Sequence, residues 1–134
     1  VYNEETVFNW VNELVGMGIG IISLADTVGL ATAEQVFHIT RHLVDSLPGT
    51  EVGVHLHSTP DNWEEKLDAA VRAGCKRFDG AIKGIGGCPM AGNDLVGNMD
   101  TERMIPYFEE RNLLAVLDKA ALQRCSQLAS AIFV

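Results

Sequence analysis

The sequence predicts an α/β fold built on a parallel sheet. Three observations carry this expectation. Short segments at 19–25, 51–57 and, more weakly, 76–81 read as strands and recur every 25 to 31 residues, from Ile21 to Val52 to Arg77. A stripe of apolar residues at helical spacing fills each interval. The first run has few polar breaks, which suits a strand buried on both faces. Strand, helix and strand in succession make βαβ units, and these give parallel strands with right-handed crossovers. Two architectures satisfy the pattern: a doubly wound open sheet, or part of a (β/α)₈ barrel. A complete barrel takes about 250 residues. With 134 residues and three strands, a barrel here is a partial one.

The elements follow in order. Val7, Trp10, Val11, Leu14 and Val15 give a helix over 4–17, with Asn3 as its N-cap and Gly16 and Gly18 at its end. Asp26 and Thr27 close the first strand. Thr32 and Gln35 form a capping box before the stripe Val36, Ile39, Leu43, Val44 and Leu47, and Pro48-Gly49 ends that helix. In the second strand Val52, Val54 and Leu56 face one way and Gly53, His55 and His57 the other. Thr59-Pro60 reads as a helix start, with Trp63, Leu67, Ala70 and Val71 as the buried stripe up to Gly74. A glycine-rich stretch follows the third strand. A helix then opens at Asp100 or Thr101, with Pro106 expected to distort its first turns. A longer terminal helix is expected over 113–133.

Composition narrows the function classes. Hydrophobic residues make up 47% of the chain, enough for a core and too many for a disordered segment. No apolar run approaches the roughly 18 residues of a membrane span. Eighteen acidic residues against ten basic ones give a net charge of -8, which argues against nucleic acid and against an anionic membrane surface. The length suggests one domain. Cys75, Cys88 and Cys125 are odd in number and widely spaced, so a reducing compartment is expected rather than a disulfide framework. Cys75 and Cys125 are expected in the core. The first residues carry no targeting pattern.

In either architecture, functional groups gather beyond the C-terminal ends of the strands. Asp26 stands at the end of the first strand, the pair His55 and His57 at the end of the second, and Cys88 in the loop after the third. Residues two apart on a strand share a face, so two imidazoles can converge on one ion. The other reading is a pair of packed, hydrogen-bonded histidines. Cys88 sits in Gly84-Ile85-Gly86-Gly87-Cys88-Pro89, where three glycines let the backbone approach a substrate closely. A flexible turn with an incidental thiol is the alternative. Asn98, Lys83 and the pair His38 and His42 each read, taken alone, as turn or surface residues.

Taken together these segments are familiar. Ile22-Ser23-Leu24-Ala25-Asp26-Thr27-Val28-Gly29, Val54-His55-Leu56-His57, the cysteine loop, and Gly97-Asn98-Met99-Asp100-Thr101-Glu102 come in the order and spacing of one family. The chain resembles the 3-hydroxy-3-methylglutaryl-CoA (HMG-CoA) lyases of the DRE-TIM metallolyase superfamily over about its whole length. The cysteine loop is the selective element, whereas the His-x-His is shared across the superfamily.

The resemblance implies a partial (β/α)₈ TIM barrel: strands six to eight with their helices, the N-terminal half having no counterpart in this sequence. Residues 1–134 would be the C-terminal part of a pyruvate carboxyltransferase-like barrel domain. The implied reaction is cleavage of HMG-CoA to acetyl-CoA and acetoacetate. It further implies a divalent cation, Mg²⁺ or Mn²⁺, on His55, His57 and Asn98, with catalytic roles for Cys88, Asp26 and His55. Cys88 would be the general acid, and Asp26 would handle a proton or position a group. The expected partner is an acyl-CoA substrate, the assembly a homodimer or other homo-oligomer, and the location cytoplasmic, or the mitochondrial matrix in a eukaryote. The family's first-strand Asp-Arg pair and second-strand glutamate are absent, so activity is expected only in an intact barrel. Ser58-Thr59-Pro60-Asp61 stands where the family has Asp-Thr-Tyr-Gly, and Met90 replaces a common aromatic. The alternatives are another metallolyase or aldolase of the superfamily acting on a 3-hydroxy acid or acyl-CoA, and an inactive half-barrel with exposed strand edges.

Overall fold

A computed structural model describes residues 3–87 and 96–133. Helix α1 (Glu4–Gly16) begins where the Asn3 side chain accepts the Thr6 N–H at 2.8 Å. Strand β1 (Ile21–Asp26) leads into α2 (Ala33–Ser46), whose Thr32–Gln35 capping box is fully formed. Strand β2 (Glu51–Ser58), helix α3 (Trp63–Arg72) and strand β3 (Arg77–Asp79) complete two βαβ units. A single 3₁₀ turn (Ile82–Gly84), the short strand β4 (Gly97–Asn98), α4 (Thr101–Glu110) and α5 (Lys119–Ile132) follow.

The sheet order is β1-β2-β3, all parallel, with β4 antiparallel against the end of β2. The register matches Ile22 with Val52, Leu24 with Val54 and Asp26 with Leu56. Alternation along β2 then sets the layers. Val54 and Leu56 point into a core with Leu67 and Ala70 of α3 and Met104 and Phe108 of α4. Val52 joins Ile22, Val11 of α1 and Leu43 of α2. His55 and His57 leave the sheet on the other side, as the alternation predicts. Helices therefore cover one face of the sheet, and the histidines stand on the other. Among the described residues no strand pairs with the outer edge of β1, where Ile19 and Ile21 are exposed.

Several boundaries differ from the sequence expectation. The terminal helix starts at Lys119, not Leu113, because Asp118 caps it by accepting the Ala121 N–H, while Asn112 turns the chain at φ 53°. Helix α3 starts at Trp63 rather than at Pro60, because Asn62 accepts the Thr59 N–H and closes a turn there. Helix α4 runs unbroken through Pro106, anchored by the Asp100 cap. Cys75 is buried as expected, but Cys125 is exposed, on the solvent side of α5. Burial pushes the Cys75 thiol up from 9.0 to about 11. No helix among the described residues is long and apolar enough to cross a membrane.

Candidate active site

The site begins with two side chains that β2 delivers to one face. The rings of His55 and His57 lie 5.4 Å apart between centroids, inclined at 61°. His57 is only 5% exposed. Its Nδ1 stands 3.2 Å from the Val96 carbonyl oxygen. A carbonyl only accepts, so Nδ1 carries a proton, and in the neutral ring the lone pair is then on Nε2. His55 is more open. Its Nδ1 lies 3.9 Å from Oδ2 of Asp79, its register partner on β3, and the Ser23 hydroxyl donates to that same oxygen at 3.0 Å. Asp79 thus stands beside the ring on the neighbouring strand.

Asn98 comes from far along the chain. Strand β4 sets it directly opposite His57, and antiparallel partners project their side chains on the same face. The Asn98 amide donates from Nδ2 to the Ile85 carbonyl at 2.9 Å, which leaves Oδ1 turned the other way. That oxygen is buried and accepts no hydrogen bond among the described residues. The glycines of the preceding loop make this approach feasible. Gly86 has φ +96°, and a Cβ there would stand 2.9 Å from Asn98 Nδ2. Gly87 bridges to Gly97. Cys88 is the next residue after Gly87 and lies outside the described residues, as does Met90.

A divalent cation suits these donors. Two imidazole nitrogens and one amide oxygen form a mixed N/O set appropriate to a hard or borderline ion. A buried carbonyl oxygen without a donor costs about 1–3 kcal/mol unless something satisfies it, and a cation would. Among the described residues no three His, Cys, Asp or Glu side chains gather as a metal cluster, so a cation held here would take its third donor from an amide rather than a carboxylate or thiolate.

Asp26 stands apart from these donors. Its register partner is Leu56, so its side chain leaves β1 on the helix-covered face, opposite to the histidines. There it accepts the Ala31 N–H and ion-pairs with Lys66 at 2.8 Å. Sequence reading missed Lys66, although a signal existed: it lies three residues after Trp63 and four before Ala70, on the buried stripe of α3. It also missed Asp79, which only the β2–β3 register places beside His55.

Around Asn98 the charges are arranged asymmetrically. Burial, with the neighbouring Glu102 carboxyl, holds Asp100 above the usual carboxylate range. Burial also acts to raise Glu102, but the Lys83 N–H, Ser126 and Asp100 outweigh it and hold Glu102 low. Lys83 reaches the Ser130 hydroxyl from a left-handed backbone position. The remaining histidines behave as surface residues: His42 stacks on Phe8 at 4.0 Å, and His38 lies 3.7 Å from Glu34.

Known proteins are similar to this chain in sequence and in fold. The HMGL-like family model matches residues 2–132. An (R)-citramalyl-CoA lyase from Chloroflexus aurantiacus is 38% identical over 87% of this chain and 37% of its own length. A hydroxymethylglutaryl-CoA lyase from Bacillus subtilis is 31% identical over 81% of this chain and 36% of its own. An HMG-CoA lyase from Acinetobacter baumannii, solved with coenzyme A and 3-methylmalate, superposes with a TM-score of 0.84 at 34% identity, over 96% of this chain and 42% of that one. The chain therefore spans little more than a third of the length of these curated relatives, and its sheet and helices form part of the TIM barrel of the solved lyase. With the family model covering residues 2–132, the chain belongs to the HMGL-like family of lyases.

Proposed function

We propose that this chain forms the cation- and cysteine-bearing sector of a carbon–carbon lyase that cleaves HMG-CoA to acetyl-CoA and acetoacetate within an intact barrel. The observation that carries the reading is the buried Oδ1 of Asn98, which has no hydrogen-bond partner among the described residues and belongs to the strand residue paired with His57. His55, His57 and Asn98 would hold Mg²⁺ or Mn²⁺. When bound, such an ion polarises the substrate's tertiary hydroxyl and lowers its pKa.

The chain's own groups have distinct parts in this reading. Val96 holds the His57 ring and Asp79 stands beside that of His55, each against an Nδ1. Ile85 fixes the amide so that its oxygen, not its nitrogen, faces the site. As the tertiary hydroxyl gives its proton to a solvent base, its oxygen becomes the acetoacetate carbonyl, the electron pair of the breaking carbon–carbon bond passes to the acetyl-CoA fragment as an enolate, and the Cys88 thiol protonates that carbon as general acid. Gly87, bridged to Gly97, anchors the start of the Cys88 loop next to Asn98. Asp26 acts at one remove, as a positioning group through Lys66 and the end of β2.

A second reading, cleavage of (R)-citramalyl-CoA to acetyl-CoA and pyruvate, is favoured by the 38% identity to the Chloroflexus relative. It keeps the same donors and the same thiol. The test offers the intact protein each thioester with Mn²⁺ and measures acetyl-CoA, acetoacetate and pyruvate. Acetoacetate from HMG-CoA supports the first reading. Pyruvate from citramalyl-CoA alone supports the second, and no cleavage of either overturns both.

A further inference from the structure

Among the described residues Lys66 is the one lysine in the core, 1% exposed, and its ammonium meets three oxygens from three separate segments. It donates to Asp26 Oδ2 at 2.8 Å, to the Gly29 carbonyl at 2.9 Å and to the His57 carbonyl at 3.1 Å. An ammonium has three hydrogens, so every donor is used and none is left over for substrate. The partners mark the end of β1, the β1–α2 loop and the end of β2. They are the points where the sheet gives way to the loops of the candidate site. The ammonium reaches these acceptors from the helix-covered side of the sheet, while the His57 ring emerges on the other.

We propose that Lys66 is a positioning residue for the cation site. Held by the Asp26 carboxylate, it pulls the Gly29 and His57 carbonyls onto one point and so fixes the backbone from which the His57 imidazole and, through the β2–β4 pairing, the Asn98 amide project. It touches neither cation nor substrate. The chemistry matches the demand: a flexible four-carbon stem reaches from α3, and a compact charge satisfies three acceptors at once. A neutral side chain of that length satisfies fewer. This inference rests on the cation reading of His55, His57 and Asn98.

The experiment measures Mn²⁺ binding by electron paramagnetic resonance on the intact protein, its Lys66→Met variant, the Asp26→Asn variant and the Asp26→Asn/Lys66→Met double variant, with circular dichroism to follow folding. Removing an outer-shell partner lowers metal affinity about 10–100-fold in known sites. That loss is expected in Lys66→Met and in the double variant, because the two carbonyls stay untethered in both. The double variant, free of an uncompensated buried charge, is expected to regain thermal stability without regaining affinity. Asp26→Asn alone should lose less affinity than either. Where kinetics are measured, kcat falls and KM for the thioester stays within about threefold. Wild-type affinity in folded Lys66→Met overturns the inference and leaves the function reading intact. So does recovery of affinity together with stability in the double variant. Failure of both Lys66→Met proteins to fold overturns it as well, by assigning Lys66 to the scaffold. Absence of Mn²⁺ binding in the unaltered protein overturns the function reading and the inference together.

Discussion

Replacing Asn98 by alanine separates a cation ligand from an ordinary turn residue, because the two cases have opposite energetics. Without a cation the substitution removes the Nδ2 bond to Ile85, worth about 1 kcal/mol, and also removes the buried unpartnered Oδ1, which costs about 1–3 kcal/mol. The balance leaves stability in chelator between unchanged and about 2 kcal/mol higher in the variant. With Mn²⁺ at a hundred times the wild-type Kd, the unaltered protein gains about 2.7 kcal/mol. A variant binding about tenfold more weakly gains about 1.4 kcal/mol, so its Mn²⁺ increment is about 1.3 kcal/mol smaller. Urea unfolding of the intact protein, followed by far-ultraviolet circular dichroism in EDTA and in Mn²⁺, reads both quantities. An equal Mn²⁺ increment in both proteins would refute the reasoning.

Other predictions follow from the same geometry. Gly86→Ala forces a Cβ to 2.9 Å from Asn98 Nδ2 at a φ of +96°, so calorimetry should show weakened Mn²⁺ binding and a stability loss of about 1–3 kcal/mol. Gly20→Ala, with nothing within 4 Å, is the control. Cys88→Ser should lower turnover by orders of magnitude while Mn²⁺ affinity is unchanged; near-normal turnover would remove the general-acid assignment. Alkali should destabilise the fold between pH 9 and 11. Burial raises the Cys75 thiol to about 11, so the folded state holds its proton more tightly than the unfolded chain does, and the stability present below pH 9 is lost as pH rises. The rise from 9.0 to about 11 corresponds to about 3 kcal/mol. Burial likewise pushes Tyr107, whose hydroxyl donates to Asp68, up to about 12 and extends the loss to higher pH. Cys75→Ala should flatten the 9–11 segment of a stability-against-pH curve.

The parts of the fold legible in the sequence were those set by local periodicity. The stripe of α2, its capping box and the alternation of β2 are short-range patterns, and from them alone His55 and His57 fall on one face. What sequence could not give was register. Nothing local marks Gly97–Asn98 as a strand, since two residues have no periodicity, yet that pairing brings Asn98 to His57. Register also decides the side on which Asp26 emerges, and it sends the carboxylate to Lys66 rather than to the rings. Lys66 was visible only as a charged residue on an apolar stripe, a local inconsistency of the sort that accumulates at functional sites. The start of α5 was misplaced because Leu113, Leu114, Val116 and Leu117 are apolar without being helical, and the Asp118 cap outweighs their pattern.

The central claim is that two imidazoles and one amide oxygen, from β2 and β4, grip a single divalent ion. Pulsed electron paramagnetic resonance of the intact protein loaded with one equivalent of Mn²⁺ tests it most directly, because nitrogen nuclei bonded to the ion modulate the spin echo. The account predicts modulation from two imidazole nitrogens, reduced to one in His55→Ala or His57→Ala. An echo without nitrogen modulation, or one unchanged by both substitutions, would contradict it.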